Sequence, residues 1–220
     1  MRRPVLYALV ALVAVGVLVA LQPTARSFAS KAAGRVVSMA HDLVDPPQTV
    51  EDLHARLFDP ATAVVIGPAN AAEASTIVIF VDYNCVYCRR QAHVLDLMEA
   101  EGRMPRVILR HLPHSEESIA LAQAMLAARR QDGAAALHRV MMAAEARIGP
   151  ADLPALAAAA GLDPEKLRAD AAAPDVEALL DADLDMAWNL RIRSTPTMIA
   201  AGALRRGVRS GDEIEASLRP

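Results

Sequence analysis

Thr76-Ile77-Val78-Ile79-Phe80-Val81 is an unbroken apolar or β-branched run, and a turn of three residues separates it from Cys85 and Cys88. A strand without polar alternation cannot leave one face in water, so it must lie inside a sheet covered on both sides. Val94, Leu95, Leu97 and Met98 then follow helical spacing up to Gly102, and Arg106 to Leu109 is a second run of strand character. A strand, helix, strand unit of this kind requires a right-handed crossover and parallel strands. The chain is therefore constrained to an α/β architecture. Ala63 to Ile66, ended by Gly67-Pro68, adds a strand upstream.

From His114 to Leu190 the pattern is helical, broken at Gly133, Gly149-Pro150, Gly161 to Pro164 and Pro174, which predicts four or five short helices. Thr197 to Ala200 and Ala203 to Arg205 predict a hairpin around Ala201-Gly202, and Ser210 to Glu213 reads as a capping box opening a last helix. The 220 residues fit one globular domain with attachments. Only 3% are aromatic, so the core must be built mainly from Val, Leu, Ile, Met and Ala. A net charge of -3 with mixed signs argues against a nucleic-acid partner.

Arg2 and Arg3 precede a charge-free run from Val5 to Leu21, long enough at about 1.5 Å per residue to cross a bilayer core. The positive-inside rule places everything after Gln22 on the extracytoplasmic side, the periplasm if the source is bacterial. Residues 1–24 are expected to form a single-pass inner-membrane anchor, with cleavage near Ser27-Phe28-Ala29 as the alternative. Residues 25–57 are expected to form a helical stalk. Its amphipathic stretch, 25–44, is a candidate self-association helix, and a shorter helix spans Thr49 to Phe58 with Thr49 as its cap. Residues 58–220 form the remaining domain.

Cys85-Val86-Tyr87-Cys88 opens the helix that follows the central strand. Unpaired N–H groups and the positive end of the helix dipole favour an anion there, which predicts a partly ionised Cys85. Cys88, one turn further in, is placed to attack a mixed disulfide on Cys85. The pair also suits copper(I), with a nearby methionine as a further soft ligand, and a structural disulfide is a further alternative. A structural zinc site needs a second ligand pair that the histidines do not supply convincingly. The second signal is Thr195-Pro196, at the start of a predicted strand.

The strand, the Cys-X-X-Cys helix start, the helical insertion and Thr-Pro before a hairpin together resemble the thioredoxin fold of DsbA-like thiol:disulfide oxidoreductases. The segment from Phe80 to Arg90 is most similar to the periplasmic branch containing the suppressor-of-copper-sensitivity C proteins. The resemblance implies a thioredoxin fold with its helical insertion at about 114–192. It also implies Cys85 as nucleophile, Cys88 as resolving thiol, and Thr195 and Pro196 as a cis-proline loop that binds substrate. Implied partners are unfolded or extended proteins and a membrane redox partner; no bound cofactor or metal is needed.

Two departures bear on the redox chemistry. Ile79 stands where the family often has a buried glutamate, and Val86-Tyr87 replaces the Pro-His of strong oxidants. A Cys85 pKa of roughly 6.5 would add under about 20 mV of oxidising power, which places the potential nearer an isomerase. His111 and His114 are read as loop caps that could approach the site. Asp82 and Tyr83 are read as closing the strand, and Trp188 as core or groove lining.

Overall fold

The computed structural model describes residues 50–68 and 70–219. The expected anchor, the 25–44 helix and the Thr49 cap lie outside the described residues. Among the described residues no helix is long and apolar enough to cross a membrane.

A five-stranded sheet organises the compact unit that begins at Glu51. Its strands are β1 (Val64–Ile66), β2 (Thr76–Val81), β3 (Arg106–His111), β4 (Thr197–Ala200) and β5 (Ala203–Arg206), in the order β1-β3-β2-β4-β5. Every residue of β2 is buried, as its uninterrupted apolar character requires. β2 runs parallel to β3 with Ile77 opposite Val107, and β4 runs antiparallel to β2 with Phe80 opposite Thr197. β5 is an edge strand. The β4–β5 hairpin turns at Ala201 and Gly202, both at positive φ.

Alternate residues of β2 enter two cores. Ile77, Ile79 and Val81 face α2 (Val86–Ala100), α8 (Gly211–Leu218) and the helical insertion. Val78 and Phe80 face α1 (Val50–Phe58) and the end of α7 (Pro174–Asn189), through Leu57, Met186 and Ala187. α1, the last piece of the expected stalk, thus packs on the sheet. Between β3 and β4 run α3 (Glu116–Ala128), α4 (Ala134–Met142), α5 (Leu153–Ala159), α6 (Pro164–Ala171) and α7. That makes five α-helices in the insertion, the upper end of the expected number. Pro164 and Pro174 sit in the first turns of α6 and α7, where a missing N–H costs nothing.

α8 carries the expected capping box: Ser210 Oγ accepts from Glu213 N, and a Glu213 carboxylate oxygen accepts from Ser210 N at 2.8 Å. β3 is longer than the sequence suggests, because Arg110 and His111 remain in register with Phe80 and Val81. Asp183 on α7 pairs with both buried side chains, although His111 Nε2 is left without a hydrogen-bond partner. Arg110 Nη1 lies 3.2 Å from Asp183 Oδ1, and His111 Nδ1 lies 2.9 Å from Asp183 Oδ2. The Arg110 guanidinium also donates to the carbonyl oxygens of Arg56, Leu57, Asp59 and Thr62, holding the end of α1 to the sheet.

Candidate active site

The C-terminal ends of β2, β3 and β5 and the N-terminal end of β4 meet at one edge of the sheet, as their pairing directions dictate. There β2 ends in a tight turn. Asp82 O accepts from Cys85 N at 3.1 Å, and Asp82 Oδ1 accepts from Asn84 N at 2.8 Å. The turn leaves Cys85 extended (φ -83°, ψ 117°) as the residue capping α2. Its sulfur therefore stands beside helix N–H groups that have no carbonyl partner inside the helix.

Both cysteines are free thiols; Cys85 is partly exposed, and Cys88 is 1% exposed. Cys85 Sγ lies 3.4 Å from the carbonyl oxygen of Thr195. The Thr195–Pro196 peptide is cis, and Pro196 O accepts from Gly207 N at 2.9 Å, tying the loop to the end of β5. The fold thus brings together all four residues singled out in the sequence, Cys85, Cys88, Thr195 and Pro196.

The electrostatics divide the two sulfurs. A hydrogen bond from the Cys88 thiol, opposed by partial burial, is the main cause that brings the Cys85 pKa down to about 5. The Thr195 hydroxyl and the N–H groups of Cys88 and Tyr87 add to it. Thr195 Oγ1 is buried and has no other partner, so it is free to donate to a Cys85 thiolate. The same bond to Cys85, followed by burial, pushes the Cys88 thiol up. One sulfur is poised as an anion and the other is held protonated against it.

The neighbouring polar residues correct several sequence expectations. Asp82 does close the turn, and it also accepts from His114 N at 2.9 Å and from Ser118 Oγ at 2.8 Å, fixing the start of the insertion. His114 lines a small cavity beside Cys85 with Ser115 and Arg147. His111 is not a loop cap: it ends β3, fully buried, because the Asp183 carboxylate accepts from both its backbone N–H and its ring. Tyr83 is buried with its hydroxyl 3.3 Å from His138 Nδ1. Trp188 is not core but 62% exposed, with the Arg193 guanidinium 4.3 Å from its ring centre. Ile79 is ordinary core, so the family's glutamate position holds no polar group.

Asp183 escaped the sequence reading. Its signal was an acidic residue on the otherwise apolar stripe Val176, Leu180, Asp183, Ala187, all buried on α7. Among the described residues no group of three or more His, Cys, Asp or Glu is placed to hold a metal.

Comparison with known proteins agrees with this geometry. A family model described as Thioredoxin matches residues 60–219. A thioredoxin-like oxidoreductase from Silicibacter pomeroyi is 30% identical with a TM-score of 0.69, the match covering 74% of this chain and 94% of that one. The catalytic domain of Proteus mirabilis ScsC is 25% identical with a TM-score of 0.68, covering 77% and 94%. A curated relative, the Na(+)/H(+) antiporter NhaA of Herminiimonas arsenicoxydans, is 31% identical over 150 residues. That match takes in 68% of this chain but 24% of the antiporter, so the likeness is to a part of that protein. The chain belongs to the thioredoxin family.

Proposed function

We propose that the protein exchanges disulfides with extended, extracytoplasmic polypeptides, with Cys85 as nucleophile, Cys88 as resolving thiol and the Thr195-Pro196 loop as the substrate ledge. The observation that carries this reading is the placement of a partly exposed Cys85 as the cap of α2, 3.4 Å from the Thr195 carbonyl, with buried Cys88 one turn behind it; the lowered Cys85 pKa accords with it. In the reductive direction the Cys85 thiolate attacks one sulfur of a substrate disulfide. A mixed disulfide forms and the other substrate sulfur leaves as thiolate. Cys88 then loses its proton to a base or solvent and attacks Cys85 Sγ; the second substrate thiolate leaves and Cys85–Cys88 is formed. Oxidation of a substrate dithiol is the same sequence reversed, and a membrane redox partner would reset the pair.

The Thr195 carbonyl faces the sulfur at 3.4 Å, so main-chain pairing of an extended substrate with this loop would bring its sulfur to Cys85. We place the domain in the periplasm, tethered through residues 5–21, on the strength of the apolar run behind Arg2 and Arg3. The 25–44 stripe remains the candidate for self-association.

Catalysed reactivation of a disulfide-scrambled protein in a glutathione buffer tests the reading. Wild-type protein is expected to speed recovery and Cys85→Ala to lose the effect. Equal recovery with both proteins would contradict it.

A further inference from the structure

Several surface arginines of this domain are committed to carboxylates. Arg103, Arg130, Arg147, Arg168 and Arg209 each pair with a carboxylate within 3.4 Å. Among the described residues Arg56, Arg89, Arg106 and Arg129 have no carboxylate partner and donate to the carbonyl oxygens of Ala182, Tyr83, Ala71 and Ala61, and Arg90, Arg191, Arg193, Arg205 and Arg206 also pair with no carboxylate. The last five all lie in segments that converge on the sheet edge holding Cys85. Arg90 is in the second turn of α2. Arg191 and Arg193 precede the Thr195-Pro196 loop, and Arg205 and Arg206 end β5, where Arg206 is registered opposite Thr197.

Three of the five exposed large apolar residues among the described residues lie in or beside the same segments, Leu97 and Ile119 being the other two. Val86 and Tyr87, between the two cysteines, are each 54% exposed, and Trp188 is more so. Arg90 lies 5.3 Å from the Tyr87 ring centre, and Arg193 caps Trp188. Such pads present an apolar ring and a guanidinium to the same ligand, the side-chain types that dominate binding energy at interfaces. Cationic concentration at one edge is set against a chain whose net charge is -3, so it is a local feature.

We propose that the rim around Cys85 is a docking surface for an acidic, extended polypeptide segment, with Arg90, Arg193 and Arg206 receiving its carboxylates and Tyr87 and Trp188 its apolar side chains. This deepens the disulfide-exchange reading and rests on it, naming the flanking chemistry of the preferred cysteine. Charge complementarity acts on encounter, so the preference is a rate effect that weakens with salt.

The test compares oxidation, by the disulfide form of the protein, of three cysteine peptides flanked by Asp and Glu, by Asn, or by Lys. Each rate is divided by the rate of the same peptide with a small neutral disulfide, which removes differences in peptide thiol reactivity. The acidic peptide should exceed the basic one by at least about 10-fold at low ionic strength. The ratio should fall to within about 2-fold near 1 M salt, where screening is roughly 3 Å. The double variant Arg193→Glu/Arg206→Glu, and separately Arg90→Glu, should lower or invert the ratio, whereas Arg168→Ser on the insertion should not. A wild-type ratio near one overturns the docking proposal while exchange itself stands. A preference the rim variants leave intact overturns it too, as does binding to anionic vesicles without any peptide preference. Failure to exchange with any peptide removes the underlying reading and this one with it.

Discussion

The Cys85 sulfur lies 3.4 Å from the carbonyl oxygen of Thr195, a residue 110 positions later in the chain, whose buried hydroxyl has no partner of its own. A neutral thiol donates to that carbonyl; a thiolate needs a donor, and the hydroxyl is available. Thr195→Val keeps the shape and removes the donor. The Cys85 pKa is expected to rise by up to about one unit, read from the pH dependence of thiolate absorbance. An unchanged titration would show that the hydroxyl does not reach the sulfur.

Alkylation of the reduced protein should separate the two cysteines. The rate at Cys85 is expected to climb through about pH 5 and then level off, while Cys88 stays inert in the folded state. The folded pKa of Cys85 is depressed, so its contribution to the stability of the reduced form is fully present above the unfolded value of about 8.5. It is lost as the pH falls through about 5. Reduced protein should thus lose its advantage over oxidised protein in acid. A Cys85 alkylation profile centred near about pH 8.5 would contradict the assignment.

The same sulfur sets the potential. A value of about 5 is lower than the sequence-based expectation of roughly 6.5, because the Cys88 thiol, the Thr195 hydroxyl and the N–H groups of Cys88 and Tyr87 supply donors that the Val86 and Tyr87 side chains lack. At pH 7 that difference is worth at most roughly 45 mV, less once the partial exposure of Cys85 is allowed for. Equilibration with glutathione should place the protein between the isomerase value of about -180 mV and the strong-oxidant value of about -120 mV, nearer the former. A potential below about -230 mV would contradict a stabilised thiolate.

How much of this was legible in the sequence follows from what carries the information. β2, its parallel pairing with β3, the hairpin at Ala201-Gly202 and the Ser210 capping box were readable because each rests on local periodicity or turn chemistry. The convergence of Cys85, Cys88, Thr195 and Pro196 came through the family resemblance. Arg110, His111 and Asp183 were not readable as a unit, since their mutual satisfaction depends on how α7 crosses the end of β3, more than 70 residues away. Hydrophobicity alone left Trp188 open between core and groove lining; its ring is exposed under Arg193, which excludes the core.

The buried Arg110–Asp183–His111 group should be a structural keystone. Asp183→Ala leaves the Arg110 charge uncompensated in the interior and is expected to cost about 3–5 kcal/mol in urea unfolding. Asp183→Asn should cost less, because it keeps one acceptor. Equal stability of the alanine variant and wild type would show that the carboxylate is not needed to balance the guanidinium.

His138 adds an acid sensitivity. Burial, then neighbouring His111 and Arg139, lower its pKa to about 3, so the folded protein keeps it neutral while the unfolded chain protonates near pH 6.5. Between those values the unfolded state binds the extra proton. Stability is expected to fall as pH drops from about 6.5 toward 3, with a slope from this group approaching about 1.4 kcal/mol per pH unit. Denaturant midpoints for wild type and His138→Gln across that range should show a shallower slope in the variant. Parallel curves would rule His138 out as the source.

Trapping tests the central claim most directly. Cys88→Ala, reacted with oxidised, unfolded extracytoplasmic proteins and resolved without reductant, should accumulate mixed disulfides joined through Cys85, because the neighbouring thiol that releases them is gone. Cys85→Ala should accumulate far fewer, since the remaining sulfur is buried and protonated. Equal trapping by the two variants, or adducts mapped to Cys88 instead, would contradict the account.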